Sequence, residues 1–173
     1  MNIYFEPVNS STIDTYILVG KKSYQEHYLH LWENEDSTPY ISKSFTKTIV
    51  QNELFDPNIE NFLVQAEHTT VGIVKLIKNK ALDELSSENA LLAEKIYLLQ
   101  AYSGKGLGKM VLQLIESYAK DLNKDVIWLD TMKKGNPINF YLKNGFKIKR
   151  ESELKLSGAK LSEKEMWVLT KQL

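Results

Sequence analysis

Three glycines alternate at 104, 106 and 108, between an apolar run and an amphipathic one. The run over 91–99 reads as a buried strand, and its end passes straight into Ser103-Gly104-Lys105-Gly106-Leu107-Gly108. Behind the turn, Leu107, Val111, Leu114, Ile115, Tyr118 and Leu122 recur at spacings of 3, 4, 7 and 8, on one face of a helix. Asn123-Lys124-Asp125 ends that helix, and Val126-Ile127-Trp128-Leu129 reads as another buried strand. A strand–helix–strand unit of this kind is a right-handed parallel crossover. The chain is therefore restricted to folds with at least one parallel strand pair and a helix packed across it.

The glycines also bear on chemistry. Glycine admits positive φ and keeps side chains out of a ligand's way. Successive backbone N–H groups at a helix start, with the helix dipole behind them, form an anion site for which a pyrophosphate is a natural guest. Lys105 and Lys109 add positive charge. Two familiar phosphate motifs fail on spacing. A P-loop wants glycine where Ser103 stands and a hydroxyl residue where Met110 stands, and the dinucleotide fingerprint wants G-x-G-x-x-G rather than G-x-G-x-G.

The remaining segments complete one continuous run of elements over 1–173, with no repeat and no linker. A short strand spans 2–7. Ser10-Ser11-Thr12 offers an N-cap to a helix on which Ile13, Ile17, Tyr24, Tyr28 and Leu31 recur, with Gly20 interrupting the stripe. Residues 33–39 read as a loop and 40–54 as a second helix. Strands follow over 61–67 and 70–78, close enough for a hairpin, and 80–89 is a charged excursion. A short helix fits 137–143, stopped by Gly145, and 146–152 and 165–173 are two final paired strands. The order β, α, α, β, β, β, α, β, α, β, β predicts a single α/β domain with a mixed sheet.

Composition narrows function by exclusion. There is no cysteine, so disulfides, thiolate metal sites and a thiol nucleophile are absent. Basic and acidic residues number 22 each, so no global positive field attracts nucleic acid or anionic lipid. The three histidines, 27, 30 and 68, lack a third-ligand pattern, so no metal site is expected. No stretch approaches the roughly 18 to 20 apolar residues of a membrane span, and the first residues carry no basic or apolar leader. A cytoplasmic protein is the expectation.

The segment Ile96-Tyr97-Leu98-Leu99-Gln100-Ala101-Tyr102-Ser103-Gly104-Lys105-Gly106-Leu107-Gly108-Lys109 resembles the coenzyme A-binding segment of the GNAT superfamily of N-acetyltransferases. Downstream, Phe140-Tyr141-Leu142-Lys143-Asn144-Gly145-Phe146 is similar to that family's Phe-Tyr-x-Lys-x-Gly-Phe helix and turn. The order of elements agrees over nearly the whole chain. The resemblance implies a twisted, mostly antiparallel sheet of about seven strands, flanked by about four helices and splayed between the fourth and fifth strands. There are departures. Ser103 stands where the family has Arg or Gln, and Lys134 and Pro137 stand where it often has Asn and Ala. Asn136 matches the family's Asn only with a shorter loop; it also suits an N-cap with Pro137 at N1.

The resemblance implies acetyl transfer from acetyl-CoA to an amine. It assigns Leu98, Leu99 and Gln100 to pantetheine and the thioester through main-chain groups, with an amide near Leu98 as oxyanion donor. Ser103, Gly104, Lys105, Gly106, Leu107, Gly108 and Lys109 would hold the pyrophosphate, with Asn136 and Tyr141 also against the cofactor. Tyr141 matches the usual general acid toward the leaving thiolate. An amine nucleophile must lose a proton first, and Glu94, four residues before Leu98 and on its face by period 2, is the candidate base. The acceptor region over 24–40 is rich in aromatics and acids, which suits a cationic amine. Tyr28, His30 and Trp32 are its candidate contacts, with Tyr97 from the strand. The layout is similar to polyamine-acetylating members, and a homodimer is common in this fold. Two alternatives stay open: an acyltransferase acting on a protein or peptide amine, and a non-catalytic acyl-CoA-binding module.

Overall fold

The computed structural model describes residues 1–173. Seven strands form one sheet: β1 (Ile3–Pro7), β2 (Ile59–Ala66), β3 (Thr69–Ile77), β4 (Ala90–Leu98), β5 (Val126–Met132), β6 (Lys147–Glu153) and β7 (Glu165–Gln172). Their spatial order is β1-β2-β3-β4-β5-β7-β6. Every neighbouring pair is antiparallel except β4 and β5, which run parallel as the crossover required. The β4–β5 ladder holds only from Ala90–Val126 to Leu92–Trp128; beyond it the two strands part.

Five α-helices flank the sheet: α1 (Ile13–Tyr28), α2 (Thr38–Ser44), α3 (Lys47–Leu54), α4 (Leu107–Asp121) and α5 (Pro137–Lys143). The alternation of side chains along each strand divides the core. Val64, Val74, Leu91 and Leu129 pack with Val111 and Ile115 of α4 and Ile138 of α5. Leu63 and Ile73, one residue out of phase, pack on the other face with Tyr16 and Tyr24 of α1, Phe45 and Val50. A smaller cluster lies under the 78–89 excursion, where Leu82 meets Leu92, Trp128 and Val168.

Two expectations need correction. The helix expected over 40–54 is two helices, α2 and α3. The count stays close to the four or so helices expected, and the break falls at Phe45-Thr46, where the Thr46 hydroxyl accepts from the Ile49 amide at 3.3 Å and starts α3. Phe45 is fully buried against Gly20, where any side chain would collide with its ring. The glycine that interrupts the α1 stripe is thus the seat of a core aromatic.

The second correction concerns phase. The β3–β4 register runs Lys75–Lys95 and then Leu76–Ala93, so Glu94 is an extra residue on β4, a β-bulge. The bulge resets the alternation. Ile96 and Leu98 pack toward α4, whereas Tyr97 joins the α1 side and the Glu94 carboxylate lies beside Lys95 and Lys75. Glu94 and Leu98 therefore do not share a face, contrary to strict period-2 counting.

Candidate active site

The glycine turn has the conformation its composition suggested. Gly104 and Gly106 have φ of 73° and 80°, and a Cβ built on either meets nothing within 4 Å. Gly108 differs: it is helical, and a Cβ there would lie 3.0 Å from Cζ of Phe140, so its role is close packing of α4 against α5. The amides of residues 104–109 make no hydrogen bond within the protein. The last three are the orphan donors of the first turn of α4. Ser103 and Lys109 are exposed, and Lys105 Nζ stands 5.4 Å from the Tyr102 ring centroid. The result is an open, donor-rich turn with positive charge beside it.

The separation of β4 from β5 leaves a second set of free groups. The Leu99 amide donates to Val71 O at 2.9 Å, and Tyr97 lies opposite Ile73. Antiparallel alternation then turns the Leu98 and Ile96 main-chain groups away from β3 and into the gap. The Leu98 carbonyl accepts from His27 Nε2 at 2.9 Å, and the Gln100 amide donates to Glu26 at 2.7 Å. Of the Leu98, Leu99 and Gln100 amides, only that of Leu98 is free, because the other two are spent inside the fold.

A cavity of about 110 Å³ passes through this gap. On the α5 side stands Tyr141, packed against Phe140 and Phe146 at centroid distances of 5.3 and 5.6 Å. Its hydroxyl has no hydrogen-bond partner and is not sealed from solvent, so it opens on the cavity. Burial pushes the Tyr141 phenol well above its ordinary pKa, and nearby Tyr28 adds to the effect. On the α1 side, Tyr24 stacks on Tyr40 at 4.0 Å and packs on Tyr28 and Tyr97 at 5.1 and 5.7 Å. The Tyr40 and Tyr97 hydroxyls are 2.6 Å apart. Burial pushes the Tyr28 and Tyr40 phenols up to about 12, so this wall stays neutral.

Glu94 is the floor of that side. Its carboxylate is 2.9 Å from Lys95 Nζ and 3.3 Å from Lys75 Nζ, and Lys75 in turn is 2.6 Å from Glu53. Burial pushes the Glu94 carboxyl upward, but the two ammonium groups outweigh it and hold it below the usual range.

The structure thus brings Tyr28, Glu94, Tyr97 and Tyr141 to one cavity. It does not bring His30 or Trp32 there. His30 is exposed on the turn after α1, and Trp32 is fully buried, its Nε1 donating to the Tyr24 hydroxyl at 3.0 Å. Trp32 therefore supports the tyrosine wall from behind. Asn136 caps α5 by position, is exposed, and makes no capping hydrogen bond. Sequence reasoning missed Asp130 and Met132, which line the β5 side. The strand was expected to end at Leu129; it runs on to Met132 because β7 pairs with it as far as Met166.

A parallel strand pair splayed around a cavity, with open glycine amides at one end, is a site for a long anionic ligand and a second small molecule. The sequence pattern of the acetyltransferase (GNAT) family matches residues 22–146. The chain belongs to the GNAT family. It is an acetyl-CoA-dependent N-acetyltransferase. Among curated relatives, an uncharacterised N-acetyltransferase encoded 3′ of pepI in Lactobacillus delbrueckii subsp. lactis is 23% identical over 139 residues, 80% of each chain. Among solved folds, the Thermoplasma acidophilum PaiA N-acetyltransferase, in complex with coenzyme A, superposes with a TM-score of 0.76 at 21% identity over the whole of both chains. The Vibrio cholerae spermidine/spermine N-acetyltransferase SpeG, solved with manganese ions, gives 0.68 at 14% identity, over 98% of this chain and 92% of that one. No helix of this GNAT chain is long and apolar enough to cross a membrane.

Proposed function

We propose that the protein acetylates a primary amine of a small, cationic, polyamine-like molecule by direct attack in a ternary complex. The observation that carries this reading is the cavity itself. It runs from the free Tyr141 hydroxyl, through the β4–β5 gap, to a neutral tyrosine wall, with the carboxylates of Glu94 and Asp130 in its lining. At about 110 Å³ it is somewhat smaller than the roughly 150 Å³ apolar cavity that accommodates benzene, so it suits a short alkylamine arm. Likeness in fold to a spermidine/spermine N-acetyltransferase points the same way.

The residues fit acetyl-CoA on chemical grounds. The unpartnered amides of 104–109, with Lys105 and Lys109 nearby, suit a pyrophosphate without the arginine or glutamine that Ser103 replaces. The free Leu98 amide suits a carbonyl oxygen on which charge develops. Bound acetyl-CoA supplies an activated acyl carbon and a thiolate leaving group. Tyr141, held protonated by its raised pKa, donates a hydrogen bond where thiolate charge appears. Full proton transfer from such a phenol to a thiolate of reference pKa near 8.5 is uphill, so hydrogen bonding is the larger part of its effect.

The acceptor must enter as an ammonium and react as an amine. Holding a lysine-like amine neutral at pH 7 costs about 4 to 5 kcal/mol. Glu94 is the carboxylate the sequence singled out for this task, and its position at the cavity floor keeps it beside the acceptor. Lys75 and Lys95 keep it ionised, so in this reading it is a fixed charge more than a tuned base.

The test is a thiol-release assay with acetyl-CoA against spermidine, spermine, amino acids and aminoglycosides, with Tyr141→Phe beside the wild type. Turnover of the polyamines, with kcat at least tenfold lower in the variant at similar KM, is expected. Turnover confined to another amine class, or a Tyr141→Phe rate within twofold of wild type, refutes the substrate class or the Tyr141 role respectively.

A further inference from the structure

The charges around the cavity do not cancel. Glu53 and Glu94 are matched by Lys75 and Lys95 in one chain of contacts of 2.6, 3.3 and 2.9 Å, two against two. The remaining carboxylate in the lining is Asp130. It has neither an ion-pair nor a hydrogen-bond partner, although it lies opposite Val168 in a regular β5–β7 ladder. Its strand position explains this. Asp130 is two residues past Leu92–Trp128, the last β4–β5 pair, so its side chain leaves the sheet where the gap begins. It shares the face of Trp128 and Met132, the face on which the α1 tyrosine wall also lies.

We infer that Asp130, rather than Glu94, anchors the acceptor's ammonium and takes its proton. This rests on the proposed acetylation of a cationic amine and names the residue that makes the amine reactive. The ammonium passes one proton to Asp130 and becomes a neutral amine. The nitrogen lone pair forms the C–N bond to the acetyl carbon as the C–S bond breaks, its electrons remaining on sulfur. The second proton leaves the acylated nitrogen for the sulfur, and Asp130 returns its own to solvent. The charged and titratable groups that line the cavity with Asp130 are Glu94 and Tyr97 of β4, Tyr24 and Tyr28 of α1, Tyr40 of α2 and Tyr141 of α5, and Arg150 of β6 acts on it across Val168. Desolvation raises the Asp130 carboxyl, and Arg150, itself committed to Asp83 at 2.9 Å, offsets only part of that. A carboxylate raised toward neutrality is a better proton acceptor at pH 7 than one held low.

Asp130→Asn is nearly isosteric and disturbs no contact. Calorimetry on the CoA-loaded protein at pH 7 with spermidine and with n-butylamine is expected to show binding weakened at least tenfold by Asp130→Asn. Equal binding overturns the inference, whereas a wild type that binds neither amine refutes the polyamine-like substrate class and leaves Asp130 to the kinetic test below. With the best acceptor found in the amine panel, kcat/KM is expected to fall about 100-fold at pH 7. The loss should narrow as pH rises toward the amine's pKa, with partial recovery in Asp130→Glu. A loss that is independent of pH, that tracks CoA affinity, or that is under threefold overturns it. If the best acceptor is not a polyamine, the substrate class fails while the Asp130 ratio is still read.

Discussion

Gly106→Ala separates the two reasons a glycine can stand at the start of α4. The residue has φ of 80° and ψ of −4°, and its added methyl meets nothing within 4 Å. The cost to folding is then conformational alone. The left-handed region disfavours a Cβ by about 1–2 kcal/mol, and alanine's stiffer unfolded chain returns about 0.4–1. A net loss near 1 kcal/mol lowers Tm by about 2–4 °C in a chain of this size. The cost to binding is larger. The methyl projects from the arc of six free amides, and displacing a phosphate oxygen from one charge-assisted hydrogen bond loses about 1.5–3 kcal/mol. That predicts a Kd for CoA about 10- to 150-fold weaker, measured by calorimetry beside a thermal melt. Gly108→Ala is the control, because its methyl would press on Phe140 instead and should lower Tm while leaving Kd within about threefold. Equal effects on Kd in the two variants, or a Gly106→Ala Kd within twofold of wild type, would refute the assignment of this turn to the pyrophosphate.

Other consequences are open to simple measurement. Trp32→Ala removes a fully buried ring and its hydrogen bond to Tyr24, so urea denaturation should show a loss of about 3–5 kcal/mol; a loss under 1 would mean the wall does not lean on it. Lys75→Met leaves Glu53 and Glu94 without their shared cation and should cost about 3–5 kcal/mol, partly restored in Glu53→Gln/Lys75→Met, by the same assay. Glu94 binds its proton more weakly folded than unfolded, so its ion pairs stabilise fully above the ordinary glutamate value of about 4.3 and that contribution fades as pH falls through the lower folded value. Glu94→Gln should flatten the acid limb of a stability-versus-pH curve, and an unchanged limb would show that the two lysines do not hold the carboxylate.

What was legible in the sequence followed from local rules. The crossover, the glycine turn and the bounds of α4 and α5 were visible because periodicity, caps and stops agreed there. The bulge at Glu94 was not, since no glycine or proline marks it and the extra residue is defined only by its pairing with β3. That one residue changed which face the candidate base occupies. The sequence marks β5 only over the apolar run 126–129; Asp130 and Thr131 continue it because β7 supplies the hydrogen bonds while the cavity accepts their polar side chains. Trp32 read as a ligand contact because it lies in the aromatic- and acid-rich region over 24–40. The residues after it are polar, and its burial comes from long-range packing, with the chain near Ala159 pairing with it and Tyr24 accepting its Nε1–H.

The short β4–β5 ladder also has a mechanical meaning. The half-sheets β1–β4 and β5–β7–β6 are two jaws joined at Ala90–Val126 to Leu92–Trp128. The joint is stiffened from outside: Lys124 Nζ donates to Asn79 Oδ1, Ser87 O and Glu88 O at 2.6, 3.2 and 2.7 Å, and Trp128 Nε1 donates to Lys80 O at 2.9 Å. From that joint, β4 reaches to Leu98 over a lever of about 20 Å. A rotation of about 3° at the joint thus carries the Leu98 amide by about 1 Å, a displacement on the scale that costs a well-aligned reaction about 100-fold. The stiffness of a buried lysine at the closed end, far from any reacting atom, sets how sharply the open end is aimed.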